Sequence, residues 1–209
     1  MIQIVRTNRS LRAVIGPADH GRAMSLGDFE RSKESDGYVY ELIDGVLCVS
    51  PIPDPLHDYW TTRVRDALLA YAAAHPSHLN YIPAECEVVI PGRPGETRPN
   101  PDVAAYRAFP DTLPRRWDAV CPLVVVEVIS NRRSTKDTVR NRHLYALAPA
   151  IREFWIIQPD AHGRTAEWTA LTRSNGRSKW REVSVEFGQT YTTRNLPQFS
   201  LNLKEISKR

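Results

Sequence analysis

The run CPLVVVEVIS, residues 121–130, constrains the fold more than any other stretch of the chain. In an extended strand successive side chains point to opposite faces, so Leu123, Val124, Val125, Val126, Val128 and Ile129 make both faces apolar. Such a strand belongs inside a sheet that is covered above and below. One residue interrupts the run. Glu127 sits in its middle, and an unpaired carboxylate moved into an apolar layer costs several kcal/mol. Something must compensate it or use it.

The other segments supply the cover. SLGDFERSKE predicts a short helix with Ser25 as N-cap and Asp28 three places on. YVYELIDGVLCVS predicts a hairpin about Asp44-Gly45. A proline-rich loop then leads into a helix on which Trp60, Val64, Ala67, Leu68 and Tyr71 keep the helical period, and His75-Pro76 ends it. ECEVVI reads as a strand, PGRPGETRPNP as a loop, and VAAYRA, behind Pro101-Asp102, as another strand. A helix is expected from Ser134, with Asp137, Asn141, Leu144, Tyr145 and Ala148 on one face. REFWIIQP, TAEWTALT, KWREVSVEF and FSLNL complete the strands, with a turn at Asn175-Gly176. The expected class is α/β (α+β), a mixed sheet flanked by helices, with an N-terminal hairpin and C-terminal meander strands. Residues 1–23 read as a loosely held arm and 24–209 as one domain.

The 209 residues carry 28 basic and 24 acidic side chains, a mild excess that permits a phosphate-bearing partner without demanding one. Cys48, Cys86 and Cys121 lie far apart, with no C-x-x-C and no zinc spacing, which suits a reducing, cytoplasmic setting. No apolar stretch approaches the ~20 residues of a membrane span, and the N-terminus lacks the apolar region of a signal peptide.

Asp102 opens one strand and Glu127 lies in the next. Adjacent strands would put the two carboxylates a few ångströms apart, where they repel unless a cation lies between them. A hard ion such as Mg²⁺ takes one or two carboxylates plus waters and phosphate oxygens. The bland alternatives are a turn aspartate at 102 and an ion pair of Glu127 with Arg152 or Arg140. After Glu127, SNRRSTKDTVRNR clusters Arg132, Arg133, Lys136, Arg140 and Arg142, which could hold a phosphate backbone or form an ordinary solvated helix end.

These residues carry a resemblance. PD at 101–102, EVIS at 127–130, the basic loop, LYALA and REFWII resemble the PD-(D/E)XK nuclease superfamily and, more narrowly, its Uma-type restriction-endonuclease-like family. YELIDGVL, the proline-rich loop ending at His57, and LPQFSLNL fit in the same order, over about residues 24–204. The resemblance implies a restriction-endonuclease-like fold and a DNA endonuclease dependent on Mg²⁺ or Mn²⁺. It makes Asp102, Glu127 and the Val128 carbonyl the metal ligands, puts Glu41 near the metal, and gives His57 an auxiliary place. It also raises a homodimer acting on double-stranded DNA.

The sequence departs from the pattern at one point. Two residues beyond the glutamate, where the simplest form has lysine, stands Ile129; in the Uma-type family the lysine lies on the next helix, at a position held here by Asn141. Asparagine offers a hydrogen bond but no charge. Restoring lysine at 141 is therefore expected to raise turnover. Two further readings are a nuclease-derived binding module without catalysis and a metal-dependent hydrolase of another phosphate ester.

Overall fold

The computed structural model describes residues 13–93, 96–129, 139–174 and 179–208. The first part of the chain forms β1 (Val14–Ile15), α1 (Leu26–Arg31), β2 (Lys33–Glu34), β3 (Tyr38–Ile43), β4 (Val46–Pro51) and α2 (Pro55–Ala74). Then follow β5 (Val103–Ala105), β6 (Val124–Val128), α3 (Asn141–Leu147) and β7 (Glu153–Pro159). The last part holds β8 (Ala166–Thr172), β9 (Arg181–Val185), β10 (Tyr191–Thr193), β11 (Leu196–Leu201) and α4 (Leu203–Ile206).

Strands β5 to β9 form a five-stranded sheet in sequence order. β6 lies between β5, to which it is antiparallel, and β7, to which it is parallel. Its double-sided apolar pattern is realised as two layers. Val124, Val126 and Val128 pack with Trp60, Val64 and Leu68 of α2. Val125 and Ile129 pack with Leu144 and Tyr145 of α3 on the other side. The period of two therefore turns Glu127 toward α3.

α2 starts where Asp54 accepts the backbone N–H of His57 at 2.8 Å and Pro55 takes the first helical position, and it ends at His75. Burial of Val64 and Leu68 on it is worth roughly 1.5–3 kcal/mol each. The β3–β4 turn has Asp44 at φ 52° and Gly45 at φ 71°, the left-handed pair that a two-residue hairpin needs. The Ser25 cap of α1 also forms, with Ser25 Oγ accepting from the Asp28 N–H at 3.1 Å.

Several expectations need correcting. Val14 and Ile15, expected in a loose arm, pair with Lys33 and Glu34, and Ile15 is fully buried against Leu42 and Leu47. ECEVVI is no strand of the sheet. Val88 N–H reaches Pro99 O (2.9 Å) and Ile90 N–H reaches Thr97 O (3.0 Å), but prolines at 91, 99 and 101 withhold the donors a ladder requires. VAAYRA shortens to Val103–Ala105. The helix start at Ser134 and Asp137 and the turn at Asn175-Gly176 lie outside the described residues.

Two charges are buried in the framework. Arg173 closes the C-terminal end of α3: its Nε donates to Ile151 O (2.7 Å), Nη1 to Ala146 O (2.7 Å), and Nη2 to Tyr145 O (3.1 Å) and Ala148 O. A cation there meets the negative end of the helix dipole, although burial pulls the Arg173 pKa below its ordinary value. Glu153, fully buried at the start of β7, accepts from Trp155, Tyr191, Thr172, Thr193 and Asn195. Among the described residues no helix is long and apolar enough to cross a membrane.

Candidate active site

The register Val103↔Val126 makes Asp102 and Glu127 the next rung at the open end of the β5–β6 ladder. Asp102 Oδ2 accepts the Val128 N–H at 2.6 Å and faces His57 Nε2 at 3.0 Å. His57 Nδ1 lies 3.3 Å from Thr61 Oγ1, one turn further along α2. The carboxylate of Asp102 is thus held between the strand and the first turn of a helix.

Glu127, 3% exposed, is met from α3. Its Oε1 accepts Asn141 Nδ2 at 2.7 Å and Tyr145 OH at 2.7 Å. Burial, and then the adjacent Glu127 charge, hold the Tyr145 phenol well above its ordinary pKa, so it stays a donor at neutral pH. The arginines weighed as partners of Glu127 are engaged by other groups. Arg152 Nη1 donates to Ser174 O at 3.1 Å, and Arg140 goes to Glu41.

Arg140 departs from the helical pattern of α3. In an ideal helix it would point about 100° away from Asn141. It belongs, however, to a wider π-type turn over Val139–Arg140 that precedes α3, and this lets the side chain fold back. Its Nε donates to Asn141 Oδ1 (3.0 Å), Nη2 to Glu41 Oε2 (3.2 Å), and Nη1 lies 3.8 Å from Cys48 Sγ. Glu41 is 1% exposed, a buried carboxylate on β3. Its Oε1 accepts the Asn100 N–H at 3.0 Å. A hydrogen-bonded line Glu41–Arg140–Asn141–Glu127–Tyr145 results, joining β3, the turn before α3, α3 and β6.

Arg142 turns elsewhere and pairs with Glu182 of β9 at 2.7 Å. Arg132, Arg133 and Lys136 lie outside the described residues. The sequence reading gave no role to Asn100, whose Nδ2 donates to Tyr40 O while its buried Oδ1 has no hydrogen-bond partner. The signal was present as the residue two before Asp102, within PNPD.

Among the described residues, no three His, Cys, Asp or Glu side chains gather as a metal cage. The oxygen donors Asp102, Glu127 and the Val128 carbonyl are all hard. A hard ion held by two carboxylates and completed by waters or phosphate oxygens fits this set, whereas zinc, which favours nitrogen and sulfur, does not. The orphaned Asn100 Oδ1 adds one more hard acceptor in the same loop.

The architecture is that of a nuclease fold. The chain resembles the crystal structure of "a putative nuclease belonging to DUF820" from Anabaena variabilis, with a TM-score of 0.64 and 14% identity over 88% of this chain and 97% of that one. The family follows from the sequence itself. The chain belongs to the Uma2 family, described as "Putative restriction endonuclease", whose model matches residues 26–204. No curated protein matches it.

Proposed function

We propose that this chain is a metal-dependent endonuclease that hydrolyses phosphodiester bonds of double-stranded DNA with Mg²⁺ or Mn²⁺. The observation that carries the reading is the line Glu41–Arg140–Asn141–Glu127, in which an anchored cation is linked to Glu127 through Asn141, with Asp102 held on the adjacent Val128 N–H. Asp102, Glu127 and the Val128 carbonyl would hold the ion. When bound, it polarises a phosphoryl oxygen and lowers the pKa of a bound water.

The chain's own residues do the rest. His57 and the Val128 N–H fix the Asp102 carboxylate. Asn141 and Tyr145 fix Glu127 on its strand. Arg140 is half-buried and would supply the positive charge that Asn141 lacks, to stabilise the charge that develops on a phosphate. Glu41 and Asn141 hold the guanidinium in place. Three free cysteines suit a reducing compartment. The competing reading, a module that binds nucleic acid without cutting it, rests on Asn141 alone. A cation already anchored by Glu41 weakens it.

Arg140 gives the test. Arg140→Ala is expected to slow single-turnover cleavage by roughly a hundredfold, because a preorganised charge is worth a few kcal/mol in such a site. Arg142→Ala should change it less than about threefold, since an exposed ion pair contributes under ~1 kcal/mol. The structure also changes the expectation for lysine at 141. In the wild type it should gain little, because Arg140 already holds the charge. In the Arg140→Ala background, Asn141→Lys should restore much of the loss. Equal activity of Arg140→Ala and wild type would remove Arg140 from the site's chemistry.

A further inference from the structure

A wide groove lies away from these carboxylates. About 1040 Å³ in volume, it runs between the edge strand β9 and the β10–β11 hairpin. Lys179, Arg181 and Arg194 line it, together with seven hydroxyl-bearing side chains, and no aspartate or glutamate does. All three cations are exposed, and none forms an ion pair with a described residue. A groove with one sign of charge concentrates oppositely charged ligands.

Two further features shape this groove for a ligand. Gln198 lines it with φ 66°, a conformation that is uncommon for a side-chain-bearing residue. The β10–β11 register slips at this place, from Thr192↔Ser200 to Thr193↔Leu196, so the extra residues bulge and push an amide into the groove. At the other wall the half-buried Trp180 ring is fixed rather than free. Arg173 Cζ lies 4.3 Å from its centroid, and its Nε1 donates to Arg142 O at 3.2 Å. Glu153, which contacts the lining residues Tyr191, Thr193 and Asn195, is covered by these donors.

We infer that this groove is a second nucleic-acid contact, where Lys179, Arg181 and Arg194 hold the phosphodiester backbone outside the cleavage site. The inference rests on the nuclease reading and extends it. The contact between Trp180 and Arg142 ties the groove wall to α3, which also carries Asn141.

The test is the full-length triple variant Lys179→Gln/Arg181→Gln/Arg194→Gln. A control, Arg22→Gln/Arg31→Gln/Lys33→Gln, makes the same charge change around α1 and β2. Binding to a short labelled duplex and to its single strand is measured by fluorescence anisotropy over a salt series, with Ca²⁺ in place of Mg²⁺. The groove variant should bind roughly tenfold or more weakly and lose about two to three units of salt slope, since each phosphate contact releases close to one counterion. The control should match wild type. Loss on the duplex assigns the groove to double-stranded substrate, and loss on the single strand alone assigns it to a displaced strand. If wild type binds but the groove variant binds equally well, or the control loses as much, the groove inference falls while the nuclease reading stands. A changed oligomeric state of the groove variant with unchanged DNA binding would make the groove a contact between copies and overturn the inference too. If wild type binds neither nucleic acid, both fall together.

Discussion

Glutamine in place of Glu127 is expected to reduce DNA cleavage by about a thousandfold or more, since metal-assisted charge stabilisation is worth several kcal/mol. It should leave the fold nearly as stable as before. The geometry separates the two effects. A glutamine keeps the oxygen that accepts from Asn141 and Tyr145, and it removes the negative charge that an ion requires. Glu127→Ala would confound them, because it leaves two buried donors without an acceptor at about 1–3 kcal/mol each. The measurement pairs single-turnover cleavage at saturating Mg²⁺ with thermal melting. A variant that cuts at the wild-type rate would show that Glu127 is only a framework residue.

The largest effect on stability is expected at Glu153. Its Oε2 accepts from Trp155 Nε1 (2.9 Å) and Tyr191 OH (2.8 Å). Its Oε1 accepts from Thr172 (3.1 Å), Thr193 (2.5 Å) and Asn195 Nδ2 (2.6 Å). Burial first, and then the neighbouring Glu153, hold the Tyr191 phenol above its ordinary pKa. Glu153→Ala strands these donors at the junction of β7, β8 and β10, and should cost on the order of 4 kcal/mol. For a chain of this length that lowers Tm by roughly 8–16 °C. Glu153→Gln should cost much less. Its oxygen can serve Trp155 and Tyr191 while its amide donates to the two threonine hydroxyls, which can reverse their roles. Asn195 Nδ2, displaced from this amide, keeps Thr172 Oγ1 and the Arg152 and Arg173 carbonyls as acceptors. Similar Tm values for the two variants would contradict this account of the cluster.

The two glutamates also show how far the sequence could be read. Each sits in an apolar strand, and that signal is visible without a structure. Its meaning is not. Glu153 is compensated by neutral donors from segments up to 42 residues away, and no local pattern marks that closure. Glu127 meets Asn141 and Tyr145, which the helical period did place on one face of α3. The hairpin, α2 and the central strands were legible because each follows from local chemistry: a turn pair in the left-handed region, a capped apolar stripe, and alternation along a strand.

What escaped the sequence depends on backbone departures. A π-type turn redirects Arg140 to Glu41, 99 residues away, and ideal helical geometry cannot anticipate that. Prolines turned ECEVVI from a ladder strand into an extended loop. The register slip that builds the groove around Gln198 is marked in the sequence only by Pro197, while FSLNL reads as a plain strand.

Asp102 and Glu127 are expected to act together as a metal-dependent cutting site. The direct measurement is single-turnover cleavage of a labelled duplex by wild type and Asp102→Asn, purified side by side, in Mg²⁺ and in excess chelator. Wild type should cut in Mg²⁺ and stop in chelator. Asp102→Asn should lose about a thousandfold or more in rate, since a metal ligand is gone, while still binding the duplex. Equal cutting by the variant, or cutting that persists in chelator, would contradict the account.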